Sequence, residues 1–186
     1  MKKQALKKHL GIYSIYKKRH TTINHAFASA ISYFDDYNEK EIDKALRFLN
    51  QKPNAELKCV YCNKKASTWD HLKCLVKNGA FTGYGHQLGN LVPCCKTCNS
   101  SKGKKDYSEY IDKIEMDIDR KIELKAQLEK YSAEFICNKI EITEKKYEQL
   151  TQEYDNVKQD IFKLMQKADS IAEHIRSNFK NNATSR

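Results

Sequence analysis

The longest ordered pattern in the chain lies near its C-terminal end. From Ile140 the positions Thr143, Tyr147, Leu150, Tyr154, Val157, Ile161, Leu164, Ala168, Ile171 and Ile175 follow in steps of three and four. A repeat held over about five heptads predicts a coiled coil rather than a lone amphipathic helix. Upstream, Ile111, Ile114, Ile118, Ile122, Leu128 and Phe135 also keep helical spacing, but their phase drifts. The pattern is interrupted over 136–143, where Asn138 and Glu141 have the spacing of a helix restart. Two arrangements follow, a helical hairpin or one rod that pairs with another chain. The interruption favours two helices with a break near 137–143. Earlier, His20–Gln51 reads as two helices. Thr21 or Thr22 caps the first, which carries Ile23, Phe27, Ala30 and Ile31 on one face. Asn38 with Glu41 forms a capping box for the second, with Ile42, Ala45, Leu46 and Leu49 at helical spacing.

Between these helical regions the grammar changes. Residues 54–107 hold every glycine except Gly11, and this loop-rich stretch is where a site is expected. After Gly103 no Gly or Pro occurs to the end of the sequence. The chain therefore divides on paper into a basic N-terminal arm with helices (1–53), a loop-rich central domain (54–107) and a helical C-terminal region (108–186).

Charge sharpens the division. The 186 residues carry a formal net charge of +10. Residues 1–25 hold seven basic and no acidic side chains, and 59–107 hold eight basic against two acidic. Residues 108–186 are nearly balanced, at 14 basic against 16 acidic. Segregation of this kind points to an anionic partner such as DNA at the first 107 residues. Mean hydropathy is -0.79. No apolar run approaches the ~18 residues of a membrane span. Leu10–Tyr16 is too short and too polar for the core of a secretion signal, and a cytoplasmic location is expected.

Seven cysteines, four of them in Cys59-x-x-Cys62 and Cys95-x-x-Cys98, read as a metal site in a reducing compartment rather than a disulfide framework. Two such turns complete a tetrahedral thiolate site for Zn²⁺, with every position filled by protein, as in a structural ion. Cys94 competes for the site, but its spacing to Cys98 is wrong for a knuckle. Cys74 and Cys137 read as buried apolar residues, and Trp69 as core.

The chemistry sits between and after these pairs. Trp69-Asp70-His71-Leu72 is followed by Gly85-His86, by Gly89-Asn90-Leu91-Val92-Pro93, and by Cys98-Asn99-Ser100-Ser101-Lys102-Gly103. This order resembles the HNH nuclease family, with its CxxC, DH, GGxH and NLVPLCxxCNxxKG pattern. The match covers about 47 residues, with four residues from His86 to Asn90 and nine from Asn90 to Asn99. The glycine pair before His86 is replaced by Gly83-Tyr84-Gly85.

The resemblance implies an α+β chain built around a ββα-metal finger acting as a DNA endonuclease. In it Asp70 and Asn99 would hold a catalytic Mg²⁺ or Mn²⁺, His71 would be the general base, and Asn90 would tie the loop. Oxygen donors suit such hard cations, and imidazole titrates near neutrality. His86 stands either at the substrate phosphate or as a loop-stabilising residue. Lys102, Lys104 and Lys105 are placed at backbone phosphates. The helical tail would supply a homodimer or dock a protein partner. A restriction or antiviral-defence nuclease is the reading this gives. A mobile-element nickase, a non-catalytic zinc module for nucleic acid, and a subunit of a larger defence complex are the alternatives.

Overall fold

A computed structural model describes residue 3, residues 6–139 and residues 145–184. The chain divides into two compact units, His25–Glu141 and Met1–Asn24 with Ile142–Arg186. The division differs from the one expected: the N-terminal arm belongs with the long C-terminal helix, and residues 108–139 belong with the loop-rich centre.

In the second of these units, α1 (Leu6–His9) is followed by α2 (Ile15–Ile31), whose first part belongs here. The helix begins several residues before Thr21, because its cap comes from far along the chain. The Asp169 carboxylate accepts hydrogen bonds from the amides of Ile15 (2.6 Å) and Tyr16 (3.1 Å) and from the Ser14 hydroxyl (2.7 Å). Those bonds hold the carboxyl below its usual range, the Ser14 hydroxyl contributing most. Tyr16 also meets Phe162 edge-on, with ring centroids 5.7 Å apart. Asp169 and Phe162 belong to α7 (Lys145–Thr184), a continuous helix of 40 residues. Its heptad positions Leu150, Val157, Leu164 and Ile171 are exposed.

The larger unit is an assembly of short helices and two small sheets. Asn38 caps α3 (Glu39–Phe48), accepting from the amides of Lys40 and Glu41 as the capping box predicts. β1 (Thr68–His71) pairs antiparallel with β4 (Leu91–Cys94), Asp70 opposite Val92 and His71 opposite Leu91. Between them lies a hairpin that the loop reading missed, β2 (Val76–Lys77) with β3 (Ala80–Phe81). Its turn is Asn78-Gly79, both at positive φ (55° and 81°), which suits the right-handed twist of the flanking strands. A 3₁₀ turn, Leu88–Asn90, leads into β4, and α4 (Lys96–Lys102) follows at once.

Past Gly103 the chain makes α5 (Tyr107–Lys113) and α6 (Ile118–Glu134), capped by the side chains of Asp106 and Asp117. The drift in phase now has a cause. Ile118 and Ile122 face solvent, whereas Leu124, Leu128, Tyr131 and Phe135 enter the core with Leu72, Val92 and Ile111. The Tyr131 hydroxyl lies 2.7 Å from the Leu88 carbonyl and 2.9 Å from that of Leu91, bracing the approach to β4. α6 ends with Ile136 at φ 51° and the Cys137 amide bonded to the Ser132 carbonyl, a left-handed stop usually made by glycine. The break thus begins near 135, and the proposed restart at Asn138–Glu141 runs beyond the described residues.

Candidate functional site

Two turns bring the metal-ligand candidates together. The first is closed by the Cys59 amide on the Lys64 carbonyl (2.7 Å) and the Asn63 amide on the Cys59 carbonyl (2.9 Å), with Asn63 left-handed at φ 59°. In the second, Cys95 caps α4, its sulfur accepting from the Cys98 amide at 3.4 Å. The Sγ atoms of Cys59, Cys62, Cys95 and Cys98 lie within 4.8 Å of one another, and Cys62 and Cys95 are 3.7 Å apart. Tetrahedral Zn–S bonds of about 2.3 Å need sulfurs about 3.8 Å apart, so these four thiols fit a metal ion such as zinc. Cys94 stands outside the set. Fully buried, its Sγ lies 3.8 Å from Cys59 Sγ, and the bond between the two is the main reason the Cys59 thiol is lowered to about 4. Burial raises the Cys98 thiol. Cys74 and Cys137 are half-buried and lie apart from the cluster.

β1 carries the next two residues on opposite faces, as the strand period requires. Asp70 points inward and is 4% exposed. One carboxylate oxygen accepts from the Tyr61 hydroxyl at 2.7 Å, and the other lies 3.3 Å from Lys102 Nζ. Burial raises the Asp70 pKa, while Lys102 and Tyr61 oppose it. The same burial, with the Asp70 charge beside it, raises Tyr61 well above the usual phenol.

Lys102, expected at substrate phosphates, is instead 1% exposed. Its ammonium also donates to the His71 carbonyl at 2.6 Å. The correction follows from α4: Lys102 is one turn from Cys98, so the helix face held at the thiol cluster carries its side chain inward. Asn99 donates from Nδ2 to Thr68 Oγ1 and the Trp69 carbonyl, each at 3.1 Å, and so clasps β1. The expected Mg²⁺ or Mn²⁺ pair does not fit this arrangement. Asp70 is enclosed, and both its oxygens are engaged by Lys102 and Tyr61.

His71 does meet His86, and their Nε2 and Nδ1 atoms lie 3.0 Å apart. Burial, then the charges of His86, Lys102 and His25, lower the His71 pKa to about 4, so its imidazole is neutral at neutral pH. Asn90, fully buried, ties the loop with three bonds. It accepts from the Lys73 amide (2.7 Å) and donates to the carbonyls of Lys73 (3.1 Å) and Gly85 (2.9 Å). His86 is held by its own main chain, its amide donating to the Tyr33 carbonyl at 2.8 Å. A Cβ on Gly85 would lie 2.0 Å from that carbonyl oxygen, so only glycine admits this crossing.

Of the remaining candidates, Lys104 reaches Asn78 (3.3 Å) and Lys105 reaches the Ser101 carbonyl (2.9 Å). Trp69, read as core, is 49% exposed, because the strand that turns Asp70 inward turns its neighbour out. Sequence reasoning missed Tyr61. Its place between Cys59 and Cys62 was the available signal, since a residue inside a knuckle must lie close to what the knuckle packs on.

Comparison with known proteins yields no matching family model, no matching curated protein and no matching solved structure.

Proposed function

We propose that this chain is a DNA endonuclease of HNH type, hydrolysing phosphodiester bonds in restriction or antiviral defence. The observation that carries the reading is the His71–His86 pair, 3.0 Å apart at the end of β1, with His71 neutral at neutral pH. A neutral imidazole takes a proton from the attacking water, and a second imidazole hydrogen-bonded to it fixes its tautomer and orientation. Supporting features are the order of β1, β4 and α4, the Asn90 tie, the thiol cluster beside α4 and the basic balance of residues 59–107. Zinc at the cluster would be structural, its ligand set being complete without water.

One observation favours a second reading, a non-catalytic zinc module that binds nucleic acid. Lys102 occupies Asp70, the carboxylate that the family gives to its hard cation. The test is nicking of supercoiled plasmid by the full chain, with Mg²⁺, Mn²⁺ or EDTA, beside His71→Ala. A nuclease nicks and loses about 10²–10⁴-fold of its rate without its base. Its acidic limb should follow a pKa near 4 rather than the usual imidazole value near 6.5. Equal inactivity of both proteins, with DNA binding retained, establishes the module instead.

A further inference from the structure

The face of β1 that carries His71 also carries Trp69, because residues two apart in a strand share a side. Trp69 is 49% exposed. At the other end of the histidine pair, His86 is bridged in parallel to Phe34, and bridged residues likewise stand on one side. Phe34 is 68% exposed. The His71 and His86 ring centroids are 5.0 Å apart. Four rings therefore follow one another as neighbours: Trp69, His71, His86 and Phe34.

The fold makes no use of the two outer rings. Neither meets another ring among the described residues, and the Trp69 indole N–H has no acceptor there. Single exposed aromatics are ordinary, but two that flank a histidine pair are not scattered. The Phe34 main chain is pinned, the His86 amide donating to the Tyr33 carbonyl at 2.8 Å and the Asp35 amide to the His86 carbonyl at 3.4 Å. Asp35 and Asp36 line a cleft that Phe34 does not enter. Beside Trp69 lies a hollow of about 250 Å³ walled by Leu57, Lys65, Thr68 and Pro93. Lys65 pairs with Glu56. Lys64, next to it in the chain, and Lys58, bridged to it, are exposed without an ion pair among the described residues. Cationic charge thus stands beside an open aromatic ring.

We infer that Trp69 and Phe34 hold unpaired nucleotides of a DNA strand, one base stacked on each ring and the intervening phosphates at the histidine pair. The inference rests on the reading that this site meets DNA. Every base offers a π-face to an aromatic side chain, and lysines track the backbone between bases. In a duplex those faces are covered by neighbours about 3.4 Å away, far closer than two rings set apart by a pair of imidazoles. A base reaches either ring only by leaving its stack. The substrate class is therefore single-stranded or looped DNA rather than intact duplex.

Fluorescence titration of the full chain tests this, with zinc present and Mg²⁺ and Mn²⁺ withheld. Trp69 is the one tryptophan in the sequence, so its emission reports on that ring alone. A single-stranded oligonucleotide should quench it saturably, whereas a blunt duplex of the same sequence and an abasic strand of the same length should not. By anisotropy of the labelled single strand, Trp69→Ala and Phe34→Leu should each weaken binding about five- to 150-fold. Phe34→Tyr should retain it, which separates stacking from simple apolar burial. Duplex or abasic strand bound as tightly as the single strand overturns the inference. So does an unquenched Trp69, or wild-type affinity in both Trp69→Ala and Phe34→Leu. If either of these fails to fold by circular dichroism, the other decides together with the quenching. A protein that nicks plasmid without preferring unpaired strand keeps the nuclease reading and loses this one; preference without cleavage does the reverse.

Discussion

Replacing Lys102 by Met isolates the buried pair beneath β1. The ammonium is 1% exposed, the Asp70 carboxylate 4%, and they lie 3.3 Å apart. Removing one partner of such a pair strands the other charge, which costs about 3–5 kcal/mol. The His71 carbonyl also loses a donor at 2.6 Å, adding about 1 kcal/mol. For a unit of this size, a melting temperature lower by on the order of 10–20 °C is expected. Asp70→Asn/Lys102→Met removes both charges and should recover most of that loss, since the expensive term is the unpaired carboxylate. The pH dependence carries a second signature. Asp70 is raised by burial against the pull of Lys102, so without the ammonium it rises further. A group raised in the folded state favours folding below its unfolded pKa and loses that contribution as pH rises through the folded value. The single variant should therefore regain stability towards acid, which the double variant should not. The measurement is a double-mutant cycle of chemical denaturation at pH 7 and pH 4.5 with zinc present. A single variant within about 1 kcal/mol of wild type, or a double variant no better than the single, would refute the argument.

Chelation of the thiol cluster, or Cys98→Ser, should unfold the larger unit, because a structural zinc contributes about 10–16 kcal/mol, as much as a whole domain's net stability. Metal content by colorimetric release should read one zinc per chain in wild type and in Cys94→Ala. A Cys94→Ala protein as empty as Cys98→Ser would make Cys94 a ligand. On α7, Leu164→Asp tests pairing of two copies through the exposed heptad positions. It should convert a dimer into a helical monomer in sedimentation, whereas a wild type that is monomeric at every concentration removes the dimer.

The legible parts of the fold are those whose cause is local. Asn38 and the Glu41 amide three residues on form their cap from one short segment. The cysteine spacings declare a cluster because two tight turns leave each sulfur few places to go. Asn78-Gly79 carried an equally local turn signal, and reading the surrounding glycines together as loop concealed it. The start of α2 was hidden, since Asp169, the residue that caps it, is 154 positions away. Lys102 was misplaced for a related reason: a lysine in a basic run reads as solvated until the helix face it shares with Cys98 is known. In α6, the drifting isoleucines were the exposed ones, and the core phase ran through Leu124, Leu128, Tyr131 and Phe135.

These placements give the thiol cluster a direct mechanical link to His71. α4 has seven residues, too few to hold helical shape by propensity alone. It is fixed at its start by Cys95 and Cys98, and from there Asn99 clasps the β1 backbone while Lys102 holds the His71 carbonyl. An ion held by the cysteines would therefore set the position of β1, and with it the distance between His71 and His86. Loss of zinc should abolish any activity of the histidine pair even though neither imidazole contacts the cluster. A chelator that stops cleavage is then no evidence for a catalytic ion. Restoring zinc alone to the chelated protein, with Mg²⁺ and Mn²⁺ withheld, separates the two roles: recovered folding without cleavage assigns the second ion to the chemistry, and recovered cleavage assigns the chemistry to the chain and its structural metal.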